Sequence, residues 1–346
     1  MRYLYILLVF LPVAILGEFL HWSPTLVFAA SSLAIVPLAG IMGEATEALA
    51  HRTGPRLGGL LNATLGNAAE LIITIFAIRE GLLELVLASI TGSILGNVLL
   101  VLGFSVLFGG LKNGAQRFDR SHAGINSTML ILAVIALAVP SLFSHTIQQS
   151  DPLAVEYLSL GVASVMIVIY ALSLLYSMRL GGGRHEAQGE PGGKTWSIRK
   201  VVGFMVASTA LIAWLSEILV GAVEPVVASL GVTEFFLGII LIPLVGNVAE
   251  HLVGVQVAVK NQMELSLSIS IGSSLQVALF VAPLLVFISM LFGHHLTLVF
   301  NQFELVALVA AVIIAALVSL DGESNWLEGA QLLVVYVIIA MAFFYL

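Results

Sequence analysis

The sequence predicts an all-α polytopic membrane protein with eleven transmembrane helices, one extra helix followed by two inverted five-helix repeats. Three observations predict it: a strongly apolar composition, a one-sided distribution of basic residues, and a repeat at a fixed spacing along the chain.

Of 346 residues, 60% are hydrophobic and only 10% charged, where a soluble domain carries roughly 25% charged residues. With a mean hydropathy of +1.09, a water-soluble fold is nearly excluded. A helix needs about 20 apolar residues to cross a bilayer. Eleven stretches qualify, near 3–20, 25–50, 57–80, 82–111, 123–144, 152–178, 198–223, 233–260, 264–293, 303–320 and 326–345. They are continuous apolar runs rather than alternating ten-residue strands, which argues against a barrel. The expected partner is therefore the lipid bilayer, with a homo-oligomer left open. A net charge of −7 offers no footprint for nucleic acid. The absence of cysteine removes disulfides and thiolate metal sites. The first stretch has only Arg2 before it and no small-residue cleavage site, so it reads as a retained helix.

The 13 Lys and Arg residues test the helix count. With the chain threaded alternately from a cytoplasmic N-terminus, Arg2, Arg52, Arg56, Lys112, Arg117, Arg120, Arg179, Arg184, Lys194, Arg199, Lys200 and Lys260 fall inside, and only Arg79 falls outside. That bias follows the positive-inside rule and puts the C-terminus on the external side.

The repeat is carried by GNAAEL at 66–71 and GNVAEH at 246–251, a shift of 246 − 66 = 180. Without a gap, the same shift maps Glu84 onto Glu264, Leu85 onto Leu265, Gly92 onto Gly272, Ser93 onto Ser273, Leu95 onto Leu275 and Glu44 onto Glu224. Each copy holds five spans, an odd number, so the second copy sits upside down relative to the first, as in many transporters. The expected organisation is an extra helix at 1–24, a first repeat at 25–180, a cytoplasmic linker at 181–197 and a second repeat at 198–346. The linker reads GGGRHEAQGEPGGK, the one long hydrophilic stretch.

Glu70 and Glu250 each lie inside an apolar span, where a carboxylate costs at least a few kcal/mol unless it meets a proton, a cation or water. The plainer alternative is a protonated structural Glu bonded to a neighbouring helix. Gly66, Asn67 and Glu70 share one helix face, and Gly246, Asn247 and Glu250 repeat it. Gly54, Pro55, Gly58 and Gly59 suggest an irregular start to the third span. Two carboxylates meeting in a dry site repel, and should accept either a divalent cation or protons. Their competition is itself an exchange mechanism. Hard oxygen ligands suit Ca²⁺, with Mn²⁺ or another divalent ion left open.

Ser93 with Asn97, and Ser273 with Gln276, offer further oxygens at helical spacing, although Gly92 and Gly96 also fit plain small-residue packing. Glu44, Glu47, Glu217 and Glu224 are candidates for acidic vestibules or a proton relay, or are solvated residues near helix ends. Glu84, Glu156, Glu264, Glu304 and Glu328 fall at expected helix starts, where the macrodipole favours anions, and receive no transport role. No HExxH pair supports a zinc hydrolase, and no nucleophile or metal triad supports an intramembrane enzyme.

At the paired GNAAE and GNVAE motifs the sequence resembles the CAX family of cation/proton exchangers, within the wider cation/Ca²⁺ exchanger superfamily. The likeness covers the second to eleventh spans. It implies Ca²⁺ as the transported substrate and H⁺ as counter-ion, exchanged by alternating access in the cell membrane of a prokaryote. It also implies that Glu70 and Glu250 bind the ion together with the backbone carbonyls of Gly66 and Gly246. Asn67, Asn247, Ser93, Asn97, Ser273 and Gln276 would line the pathway, with the second and seventh spans moving. Sodium/calcium exchangers instead carry a Pro before the key acid and a Gly-Thr-Ser run, both missing at 66–70 and 246–250. A sodium-coupled calcium exchanger and a divalent cation channel are the alternative readings.

Overall fold

The protein is described by a computed structural model covering residues 4–148, 153–180 and 196–346; the expected linker therefore lies almost wholly outside the described residues. A 3-10 stretch (Leu4–Val9) leads into α1 (Phe10–Phe19). There follow α2 (Pro24–Leu65), α3 (Ala68–Arg79), α4 (Leu83–Asn113), α5 (Arg120–Gln148) and α6 (Ala154–Leu180). Then come α7 (Ile198–Gly221), a short α8 (Val223–Leu230), α9 (Glu234–Val259), α10 (Met263–Ser289), α11 (Gln302–Val318) and α12 (Trp326–Phe344).

Eight helices among the described residues are long and apolar enough to cross a bilayer, and Leu4–Phe19 and Gln302–Val318 are shorter apolar helices. Eleven spans were expected, and the main departure lies in the second and third. They were placed at 25–50 and 57–80, whereas α2 runs on through Gly54–Gly59 to Leu65. The break comes later, at Gly66 and Asn67, leaving α3 only 12 residues. At 1.5 Å per residue, α3 is about 18 Å long, too short to cross the roughly 30 Å hydrocarbon core alone.

The helix ends follow from local chemistry. Thr233 accepts from the Phe236 N–H at 3.1 Å, and Asn301 with Glu304 and Asn325 with Glu328 form reciprocal capping boxes that satisfy otherwise orphaned donors. Gly231, at φ 66°, takes the left-handed conformation that ends α8.

Three helices contain a wide π turn: Gly96–Val101 in α4, Leu237–Leu241 in α9 and Val277–Val281 in α10. Such turns hold an extra residue and gather near functional sites.

α4 occupies the centre. Its most apolar window is 89% buried, against 22% for α6 and 17% for α12, so the last two present an outer face to lipid. Val165, Val168 and Leu172 of α6 and Val334, Val337 and Met341 of α12 form those outward stripes at helical spacing. Glycines let α12 lie directly on α4: a Cβ on Gly329 would fall 2.2 Å from the Leu107 nitrogen, and one on Gly110 2.5 Å from the Trp326 nitrogen. α2 and α7 pack extensively on one another.

A two-stranded antiparallel ladder joins β1 (Gln116–Arg117) to β2 (Glu323–Ser324), ahead of α5 and α12. Gln116 is 1% exposed, and its side-chain amide donates to the Ala258 carbonyl at 2.9 Å and to Asn261 at 3.0 Å, pinning the end of α9 to the ladder.

Candidate functional site

The break at Gly66 and Asn67 puts Glu70 in the first turn of α3, where free backbone N–H groups and the helix dipole favour an anion. The Leu71 N–H reaches back to the Asn67 carbonyl at 3.0 Å. Asn67 thus stands at the N-cap, a position where Asn usually bonds its own helix. Here its side chain makes no cap bond. Its Nδ2 donates instead to Gln276 Oε1 at 2.8 Å, and its Oδ1 lies 3.2 Å from the Ser273 hydroxyl, both on α10.

Depth follows from helix geometry. Nine residues separate Glu70 from Arg79, which ends α3, and ten separate Glu250 from Lys260, which follows α9. At 1.5 Å per residue each carboxylate lies about 14–15 Å from a charged helix end, near half the thickness of the hydrocarbon core.

The side chains around the two acids repeat. Ser93 of α4 donates a hydrogen bond to Glu70 Oε1, and Ser273 of α10 donates to Glu250 Oε2 at 3.0 Å. Asn247 Nδ2, on α9, donates to Ser93 at 3.3 Å, and Asn67 meets Ser273 as described. A shift of 180 carries Glu70, Ser93 and Asn247's counterpart Asn67 onto Glu250, Ser273 and Asn247. Each acid–serine pair is therefore braced by the asparagine that accompanies the other acid. The remaining oxygen of Glu70, Oε2, is buried and has no hydrogen-bond partner among the described residues. A buried acceptor in that state suits a cation or a proton.

Two glycines set the spacing of these helices. The Gly246 backbone runs beside Glu70, so an added Cβ would sit 3.5 Å from the Glu70 Cβ. Gly92 lies closer still: a Cβ there would fall 2.0 Å from the Ile239 carbonyl oxygen of α9. Gly272, its counterpart in the repeat, has nothing within 4 Å. The two copies differ at the acids as well: Glu70 is fully buried at a helix start, whereas Glu250 is partly exposed within a continuous helix.

The structure thus brings together Glu70, Glu250, Asn67, Asn247, Ser93, Ser273 and Gln276, with Gly66 at the break and Gly246 against Glu70. Asn97 is buried in the π turn of α4, and its Nδ2 has no partner among the described residues. Elsewhere, Glu44 accepts from the Tyr5 hydroxyl at 2.8 Å, and Glu47 is exposed on α2. Glu217 pairs with Arg79 at 3.2 Å on an exposed surface, and Glu224 is exposed in the first turn of α8. Sequence reasoning gave Glu304 no role beyond a helix start. It is 2% exposed, and its Oε1 accepts from Thr91 at 2.9 Å. Its spacing from Asn301 is that of a capping box, a signal the sequence analysis did not use, and nothing local points to Thr91.

Among the described residues no three His, Cys, Asp or Glu side chains form a metal cluster. Two carboxylates backed by hydroxyls and amides form a set of hard oxygen ligands, suited to a hard cation that keeps some water.

An all-helical body with apolar outer faces and a braced pair of carboxylates at mid-depth is that of a membrane carrier for cations. The chain belongs to the sodium/calcium exchanger protein family, whose model matches residues 23–179 and 200–345. It is 45% identical to a Ca(2+)/H(+) antiporter of Aphanothece halophytica, over 98% of this chain and 95% of that protein. It is 43% identical to the Ca(2+)/H(+) antiporter ChaA of Bacillus subtilis, over 97% and 96%. In structure it is similar to the selenium-substituted Ca2+/H+ antiporter protein YfkE, with a TM-score of 0.87 and 42% identity over the whole of both chains.

Proposed function

We propose that this protein is a secondary transporter that exchanges Ca²⁺ for H⁺ across a membrane, the two ions competing for Glu70 and Glu250. The observation that carries the reading is the cross-braced acid pair, two carboxylates inside apolar helices held by the same set of side chains in duplicate. Relatives that share more than 40% of its residues over nearly their whole length are named as Ca²⁺/H⁺ antiporters.

The mechanism follows from electrostatics. In a low-dielectric pocket two bare carboxylates repel strongly, while one divalent cation or added protons relieve that repulsion. The empty, doubly charged site is the costly state, so an ion leaves readily only when its rival arrives. Ser93, Ser273, Asn67 and Asn247 orient the carboxylates, and the carbonyls of Gly66 and Gly246 are further candidate ligands. Asn97 and Gln276 extend the polar lining.

The proposal includes eleven spans, with α3 and the shorter α1 and α11 completing the eight long helices, an extra helix at 1–24, and inverted repeats at 25–180 and 198–346. The gap-free 180-residue shift and the duplicated network support the repeats. The placement of basic residues supports a cytoplasmic N-terminus and an external C-terminus, and the bacterial relatives support a prokaryotic cell membrane. Missing sodium-exchanger motif residues weigh against sodium coupling.

The test is ⁴⁵Ca uptake into liposomes under an imposed pH gradient, for wild type, Glu70→Gln and Glu250→Gln. Wild type should accumulate Ca²⁺ against its gradient, and both variants should lose uptake. Normal transport by the variants overturns the site, uptake that follows sodium and ignores pH favours a sodium-coupled exchanger, and flux without proton counterflow favours a channel.

A further inference from the structure

We propose that Glu304 is a second proton-binding site of the exchanger, set apart from the acid pair, and that its charge tunes how tightly the pair holds Ca²⁺. The inference rests on the Ca²⁺/H⁺ reading above.

Glu304 lies in the first turn of α11 and is 2% exposed. Both its oxygens are engaged by neutral donors: Oε1 by the Thr91 hydroxyl at 2.9 Å and Oε2 by the Asn301 N–H at 2.7 Å. Of the elements packed on α11, α4 carries Glu84, an acid in its first turn. α5 and α12 carry Arg120, His122 and Glu328 near their first residues, beside the Gly322 turn that follows the far end of α11. Among the described residues, then, Glu304 is a buried acid with hydrogen bonds but no ion pair. Such a group can exchange a proton without breaking its cap, since a protonated carboxyl keeps an acceptor for the amide.

Its partner ties it to the ion site. Residues 91, 92 and 93 of α4 make three different contacts: Thr91 with Glu304, Gly92 with Ile239, and Ser93 with Glu70. Thr91 and Ser93 lie on roughly opposite sides of the helix. No direct hand-over of a proton across it is implied. The coupling is through space, over roughly the 10 Å width of a helix. At an effective dielectric constant of about 20, a unit charge at that separation alters the affinity for a divalent ion on the order of a hundredfold.

The pair also breaks the repeat. Shifts of 180 put Gly124 opposite Glu304 and Ile271 opposite Thr91, so neither residue is duplicated. The acids and their serines recur in both halves, whereas Glu304 and Thr91 belong to one side alone and add a difference between the two membrane faces. A proton on Glu304 removes a nearby negative charge and loosens the pair's hold on Ca²⁺, which favours release on the side where α4 and α11 begin.

The test uses the full-length protein in liposomes, with Ca²⁺ concentration and pH varied for wild type, Glu304→Gln, Glu304→Asp and Thr91→Val, and with Glu70→Gln as reference. Glutamine keeps an oxygen for the Asn301 N–H and cannot ionise. It should raise the Ca²⁺ concentration for half-maximal uptake on the order of a hundredfold, flatten the pH dependence of that concentration, and leave the maximal rate near wild type. Thr91→Val should act in the same direction to a smaller extent, and aspartate should restore much of the pH dependence. If Glu304→Gln elutes as a monodisperse protein and keeps wild-type Ca²⁺ and pH curves, Glu304 is only a helix cap and the proposal fails. If Gln and Asp lower the maximal rate equally with no change in pH dependence, the role is structural and it fails too. Should wild type ignore the pH gradient, or Glu70→Gln transport normally, it is the exchanger reading that falls.

Discussion

Asn67 lies 3.2 Å from Ser273 although 206 residues separate them along the chain. That contact joins the head of α3 to the middle of α10, and the matching contact joins Asn247 to Ser93. The cluster proposed to bind the ion is thus assembled from residues 66–97 and 246–276, and neither segment holds a complete set of partners.

Removing one asparagine should be felt at both acids. In Asn67→Ala, the part-buried Gln276 loses its donor, at a cost of about 1–3 kcal/mol, and Ser273 keeps only Glu250 as partner. The expected outcome is roughly a tenfold to hundredfold rise in half-saturating Ca²⁺. Asn247→Ala should behave alike. Concentration curves for ⁴⁵Ca uptake measure this, and an unchanged half-saturation for either variant would count against the bracing role.

A methyl group should distinguish Gly92 from Gly272. At Gly92 it meets backbone atoms at 2.0 and 2.6 Å, which cannot yield as a side-chain tip can, so Gly92→Ala should cost about 1–3 kcal/mol or more. Gly272→Ala has open space and should be nearly neutral in this conformation. Thermal melts in detergent compare the two, and equal melting temperatures would contradict the packing described.

The ladder offers a third comparison. Gln116→Ala removes a buried amide from the Ala258 carbonyl and from Asn261, and should lower stability by about 1–3 kcal/mol. Arg117 is 84% exposed and pairs with Glu323, so Arg117→Ala should cost at most about 1 kcal/mol. Denaturation of the two variants side by side gives the ranking; the reverse order would mean that the ladder is held by its surface charges.

Glu217 separates a surface pair from a transport role. Its side chain is 53% exposed beside Arg79. If the pair is a surface contact, Glu217→Gln changes uptake by no more than a few-fold and the difference fades at high salt. A loss as deep as that of Glu70→Gln, persisting at high ionic strength, would instead place Glu217 on the ion path.

That Glu70 and Glu250 need polar partners inside the helix body was legible in the sequence, because a carboxylate inside an apolar run is costly wherever the helix is packed. Asn67, Ser93 and Ser273 followed from shared helix faces and from the repeat. Their partners did not, since no local pattern tells Asn67 to bond α10 instead of capping α3. The α2 break was expected near Gly54 and Pro55 and found at Gly66 and Asn67. Tertiary contacts at Asn67 and Glu70 hold the turn there, whereas propensity alone pointed to the earlier Gly and Pro. Glu304 was read correctly as a helix start; its burial depends on Thr91, 213 residues away. The π turns escaped notice because an apolar run gives no sign of one extra residue.

Those wide turns make the helices sensitive to length as well as to composition. A deletion in a regular turn of α4 rotates everything beyond it by about 100°, whereas losing the extra residue between Gly96 and Val101 lets the helix close into a regular spiral with its far end nearly in phase. In the first case Gly109 and Gly110 swing away from the surfaces they abut, and in the second they stay on them. An alanine replacement leaves that phase untouched wherever it falls, so a deletion scan locates the extra residue, to which substitution is blind.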